Sequence, residues 1–169
     1  MTRDEALHII QSGKAPGVDL RGLDLSGCDL AGADLHEARL SQANLSGTDL
    51  SGADLRNTLL DETNLQRANL TNSNCEFAVF GGADVSGANF TGANLQRANL
   101  VGTKGHGARF DNAKMFLARP GNADLRDASF RDADITRAIF RRANLAGADL
   151  RGATGQANFE NANLDGARQ

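Results

Sequence analysis

One cycle of five residues runs through almost the whole chain. In Ala83 to Leu100 it reads ADVSG ANFTG ANLQR ANL. A small residue is followed by Asp or Asn, then a large apolar residue, then two polar residues or glycine. We call the large residue the centre. Centres fall at every fifth position from Leu20 to Gly155, giving 28 cycles; Phe159 and Leu164 follow after one residue is lost, making 30. The position two before the centre is Ala, Ser, Thr or Cys in 28 of the 30, and Asp or Asn precedes the centre in 20. So strict a period overrides length and composition in deciding the fold.

A period of five excludes the usual elements. On an α-helix each step of five turns by roughly 140°, so the centres would circle the axis. On a strand they would alternate faces. A short extended piece followed by a turn does fit. Ala88 and Phe90 then share one face, and Thr91-Gly92 turns the chain. Repetition curls the chain into a narrow tube with both small residue and centre inside. Phe90, Phe110 and Phe130 are twenty residues apart. That spacing predicts four sides per coil and a column of stacked rings. About seven and a half coils at a ~4.8 Å spacing make a rod of roughly 36 Å. The outward Asp and Asn residues are predicted to satisfy turn amides.

The pattern resembles that of the pentapeptide-repeat proteins, A(D/N)LXX, over Val18 to Leu164. The resemblance implies an all-β fold, a right-handed quadrilateral parallel β-helix. It also implies a second functional reading. Some members imitate duplex DNA, bind DNA gyrase or topoisomerase IV, and so protect against fluoroquinolones.

Residues 1–17 stand outside the repeat and read as an N-terminal capping helix and linker, with the β-helix over 18–169. Thr2-Arg3-Asp4-Glu5 fits a capping box, and Gly13 is a plausible stop. Such a helix covers the open first coil. At the other end the chain stops in mid-cycle: either the open coil stacks on a second copy as a homodimer, or the sequence is cut short there.

The cycle breaks in a few places. Gly105, Pro120 and Gly155 replace centres. A distortion or bulge is expected in Val101–Pro120, since proline removes a backbone donor. A kink is expected where the residue is lost near Gly155.

No catalytic constellation is visible: His8, His36 and His106 are scattered, and no HExxH, CxxC, P-loop or Gly-x-Ser-x-Gly occurs. The sequence therefore points to a protein that is not an enzyme and needs no cofactor or metal. Stacked carboxylates such as Asp29 and Asp49 read as structural. Cys28 and Cys75 fall on inward positions and read as core thiols in a reducing compartment, the cytoplasm. No apolar run approaches the ~20 residues of a membrane span.

Specificity must then lie on the outward positions. Leu59, Val79 and Ile139 occupy the slot that Asp or Asn should fill, all on one side. Phe77 and Leu117 lie in the adjacent corner column with Arg97 between them. Leu59, Phe77, Val79, Phe116, Leu117 and Arg119 make a mixed apolar and arginine patch, the composition of a protein interface. Phe77 or Phe116 could instead fold over a neighbouring coil. The net charge is −6 over residues 1–100, from 7 Lys+Arg and 13 Asp+Glu. Over 101–169 it is +3, from 11 against 8. A DNA mimic would be acidic along its length, so imitation of DNA for a topoisomerase is the second choice. Arg126, Arg131, Arg137, Arg141, Arg142 and Arg151 spread over several sides, whereas direct nucleic-acid binding wants one stripe with interleaved aromatics. The preferred reading is a rigid scaffold that binds a protein partner.

Overall fold

Each coil takes twenty residues, and the coils stack in parallel. A computed structural model describes residues 1–169. Bridges join each slot residue to the one twenty further on, as in Asp19↔Arg39, Arg39↔Leu59 and Leu59↔Val79. Twenty residues hold four cycles, so the rod has four sides. It is a right-handed quadrilateral β-helix. Side one carries the centres Leu20, Leu40, Leu60, Phe80, Leu100, Pro120 and Phe140. Each coil is bonded to the next by its backbone, for example Leu40 N–H to the Leu59 carbonyl at 2.7 Å and Leu59 N–H to the Ala38 carbonyl at 3.0 Å.

The interior is filled by the two inward positions. Leu20 to Leu65, Phe80, Phe90, Phe110, Phe130 and Phe140 are buried with the facing alanines in one continuous core. The small residue must be small because two coils meet there. At Thr48, Thr58 and Thr63 the hydroxyl donates to a carbonyl of the preceding coil at 2.8–2.9 Å, and at Thr103 to the Leu100 carbonyl of its own coil. Phe90, Phe110 and Phe130 stack as expected, with centroids 5.0 and 4.9 Å apart and planes within 9°. Phe80 and Phe140 meet the two ends of that column edge-on.

The N-terminal helix, α1, spans Arg3–Gln11. Thr2 and Glu5 form the reciprocal capping box. Ala6 and Ile10 are buried in the common core, and Arg3 donates to the Ser26 carbonyl at 2.9 Å. No helix is long and apolar enough to cross a membrane.

The corners explain the Asp and Asn. After each centre the chain turns, and the N–H of the next residue points outward, away from the ladder. All twenty slots that hold Asp or Asn accept that N–H on a side-chain oxygen, at 2.8–3.4 Å. Stacked amides add a second contact, as when Asn64 donates to Asn44 at 3.1 Å. Four slots go further. Asp19, Asp54, Asp124 and Asp149 each hold both the N–H and the guanidinium of the arginine two residues on. At buried Asp149, Arg151 contributes bonds of 2.8 and 2.6 Å and Arg131 one of 2.6 Å.

The irregular coil does not bulge. Spacing stays at twenty through Asp84↔Lys104↔Asp124 and Asn94↔Lys114↔Asp134. Leu125 and Val85 close over Gly105, where an added Cβ would lie 2.9 and 3.3 Å from their methyl groups. The one loss is the Arg119–Ile139 bridge, absent because Pro120 has no N–H for the Ile139 carbonyl. The expected slip near Gly155 is real. Pairing shortens to nineteen residues at Ile139↔Asn158. Gly155 takes a φ of +87°, and a Cβ there would sit 2.7 Å from the Thr136 Cα, so only glycine fits.

Two tests follow from this packing. Phe110→Ala removes the middle ring of the stack and should lower stability by about 3–5 kcal/mol in denaturant unfolding; a loss below about 1 kcal/mol would contradict the packing. The second concerns acid. The Arg151 and Arg131 contacts hold the Asp149 carboxyl well below the usual carboxylate range, with the Arg151 side chain the largest influence. A carboxyl depressed on folding stabilises above its unfolded value, about pH 4, and that stabilisation is lost as pH falls toward the folded value. Asp149→Asn keeps an acceptor for the turn but removes the charge. It should melt below the parent at pH 7, and the gap should narrow as pH drops below about 4. A gap independent of pH would refute the ion-pair account.

Candidate functional site

Ten of the thirty slots hold neither Asp nor Asn, and they are not spread evenly. Arg39, Leu59, Val79, Arg119 and Ile139 all lie on side one. The other three sides share Lys104, Arg109, Lys114, Ser129 and Thr154. On side one the turn amides of Ser41, Asp61, Gly81, Gly121 and Arg141 consequently find no acceptor in the chain. Loss of the internal cap and gain of apolar or arginine side chains thus coincide on one wall.

The six residues singled out from the sequence map to this wall and the corner leading into it. Leu59, Val79, Asn99 and Arg119 are successive rungs of one ladder. Phe77 and Leu117 occupy the corner two coils apart, so they do not meet. Phe77 is 44% exposed. The Arg97 guanidinium lies 5.2 Å above its ring, so the aromatic is flanked by the next coil rather than buried by it. Phe116 and Leu117 are half-buried beside exposed Arg119. The patch is therefore two clusters, Leu59–Phe77–Val79 and Phe116–Leu117–Arg119, joined by Arg97 and Asn99.

Backbone geometry adds weight to the corner. Phe77 has φ +59° and Leu117 +57°. Elsewhere the same left-handed position holds Gly, Asn, Asp, Glu, Gln or Arg. A bulky side chain there is strained by roughly 1–2 kcal/mol. Two apolar residues are placed at strained and outward-facing positions, where packing does not ask for them.

Sequence reasoning missed part of the wall. Val101, 37% exposed, extends the apolar surface beside equally exposed Ile139, which the sequence had already placed on this side. Val101 occupies a turn position that is polar or small in most cycles, which was the available signal. With Arg119, Gly121, Arg141 and Arg142 these two line a shallow groove of about 210 Å³. The six C-terminal arginines do spread over several sides, but Arg137, Arg141 and Arg142 join Arg97 and Arg119 around this one. Residues 96–102, 116–122 and 136–142 contain those five arginines and no Asp, Glu or Lys. The preceding coils, over 36–42, 56–62 and 76–82, carry Glu37, Asp61, Glu62 and Glu76 against Arg39 and Arg56. The wall is acidic at one end and basic at the other.

Asp34, His36 and Asp54 bring three ligand atoms within 4.8 Å. Each of the three is already paired within the chain. Asp34 takes the His36 ring nitrogen at 2.6 Å and holds the imidazolium form above its ordinary range, and Asp54 takes Arg56 at 2.5 Å. This is a salt-bridged column. Asp29 and Asp49 likewise serve their turns, accepting from Ala31 and Ser51.

The comparisons agree with this geometry. Residues 17–52, 48–87, 83–119 and 121–154 match the family model for pentapeptide repeats, in 8 copies. The chain belongs to the pentapeptide-repeat family. Its fold is similar to that of HetL from the cyanobacterium Nostoc sp. strain PCC 7120, a pentapeptide-repeat protein involved in heterocyst differentiation regulation. Identity is 26%, coverage 99% of this chain and 94% of that one, and the TM-score 0.76. A trypsin-treated form of QnrB1, a plasmid-mediated fluoroquinolone resistance protein, shares the fold at 21% identity, over 92% of this chain and 85% of that one, with a TM-score of 0.56. No curated protein matches in sequence.

Proposed function

We propose that the protein is a non-enzymatic interaction module of the cytoplasm, a rigid rod that docks a protein partner along side one. The observation that carries this reading is the pair Phe77 and Leu117. Each is apolar at a left-handed corner where the repeat otherwise uses glycine or polar residues. Strain and exposure are both unfavourable to the folded chain, and a surface that keeps them gains something from contact. Leu59, Val79, Phe116 and Arg119 extend the contact area around them. The four walls are held in register by the ladder, so side chains sit at fixed spacing before a partner arrives and little ordering is needed on binding. The likeness to HetL favours a regulatory role exerted through binding. Imitation of duplex DNA is the weaker reading, because five arginines, only one of them paired with a carboxylate, occupy one end of the same wall.

Affinity capture followed by mass spectrometry tests the proposal. The parent should retain a defined protein, and Phe77→Gly combined with Leu117→Gly should release it. Glycine relieves the corner strain while the ring and its arginine contact are lost, so stability should stay within about 1 kcal/mol of the parent. Identical proteins retained by parent and variant would sink the reading.

A further inference from the structure

The basic half of side one repeats a donor set that the protein uses four times elsewhere. At Arg21, Arg56, Arg126 and Arg151 a turn N–H and the guanidinium of the same residue grip one aspartate, which lies two residues earlier in the slot. The guanidinium bonds measure 2.5–3.0 Å. Arg141 presents the same N–H and the same guanidinium, but its slot holds Ile139. Its backbone N–H has no acceptor, and its side chain reaches only Glu160, at 3.3 Å. One coil away the Gly121 N–H is equally free, with Arg119 in its slot.

We infer that this half-wall receives an acidic, aliphatic segment of a partner protein, whose carboxylates take the Gly121 and Arg141 amides and the arginines around them. The inference rests on the interaction-module reading and supplies the chemistry of the partner. Three observations converge on it. First, these turn amides bind a short side-chain oxygen, which is an Asp carboxylate in ten of the twenty capped slots and an Asn carboxamide in the other ten, and wherever the turn residue is an arginine held through its guanidinium as well, the partner is Asp. Second, the arginines here are free to bind one. Arg109, Arg126, Arg131 and Arg151 on the other sides each hold an aspartate. Arg97, Arg119, Arg137 and Arg142 form no salt bridge. Third, exposed Val101 and Ile139 and half-buried Leu117 lie between the arginines, ready for aliphatic side chains. Nucleic acid is the poorer occupant. Half-buried Phe116 is the one aromatic on this half-wall, where base stacking along a strand wants a series of them. On the neighbouring sides Asp111, Asp124, Asp132 and Asp134 would also oppose flanking phosphates.

Fluorescence anisotropy on the full chain tests the inference with a labelled peptide that alternates Asp with Leu. Comparison probes are its Asn-for-Asp counterpart, a peptide alternating Asp with Ser, and a short DNA duplex. The Asp–Leu peptide should bind at least about tenfold more tightly than all three, and more weakly as salt is raised. Ile139→Asp rebuilds the internal pattern found at Asp149–Arg151, so the fold should be retained or stabilised. That variant should weaken binding by about tenfold or more, because its own carboxylate then occupies the donors. Glu160→Gln, which frees the Arg141 guanidinium, should tighten binding. Failure of the Asp–Leu peptide to bind, or equal binding to Ile139→Asp and the parent, would overturn the inference. Tighter binding of the duplex that Ile139→Asp abolishes would also overturn it, assigning the wall to nucleic acid. If captured protein is released by Phe77→Gly with Leu117→Gly but kept by Ile139→Asp, the interaction module stands and this inference falls.

Discussion

Each regular corner of the rod depends on a hydrogen bond that the backbone ladder cannot supply. Ladder bonds run along the axis, from coil to coil. The N–H after each centre points sideways and out, and its acceptor must come from a side chain short enough to fold back two residues. Asp and Asn meet that demand, and all twenty that occupy the slot do so. The left-handed residue that follows, and the small residue that opens the next side, complete the turn. Packing of leucine and phenylalanine inside then stabilises a shape that the corners have already set.

Because coils stack at a twenty-residue spacing, any departure from the slot accumulates in a column. Half of the departures fall on side one. There the chain gives up its internal cap and keeps free amides, unpaired arginines and apolar side chains at strained corners. The other sides turn most of their polar groups on one another, through amide stacks and aspartate–arginine pairs, and leave only the isolated turn amides of His106, Asp111, Phe116 and Gln156 without an acceptor. The contrast separates a wall built to hold the rod from a wall with groups left over for a partner. Surface ion pairs contribute little to stability. Leaving those arginines unpaired therefore takes little from the fold, and their charge is available for recognition.

Much of this was legible from spacing alone. The five-residue period excluded helix and plain strand, and the phenylalanines at 90, 110 and 130 fixed the number of sides. Thr2 and Glu5 announced the helix start. The expected distortion over Val101–Pro120 did not appear, because Val85 and Leu125 fill the space at Gly105 and a proline on one rung removes one bond only. Of the candidate patch, Leu59, Val79 and Arg119 were readable as one column. Val101, Arg141 and Arg142 were not, since corners before and after a slot belong to the same wall and this emerges only once the turns are placed. Nor does a sequence show that Arg97 lies over Phe77, or that an amide two residues past an isoleucine lacks its acceptor.

Amide hydrogen exchange measured residue by residue tests the central claim most directly. The amides of Asp61, Gly81, Gly121 and Arg141, whose slots lack Asp or Asn, should exchange about tenfold or more faster than the capped amides of Ser86, Ala146 and Arg151 at equivalent turns. Equal protection across the two groups would mean that the slot side chain does not hold the corner, and that side one has no donors to offer.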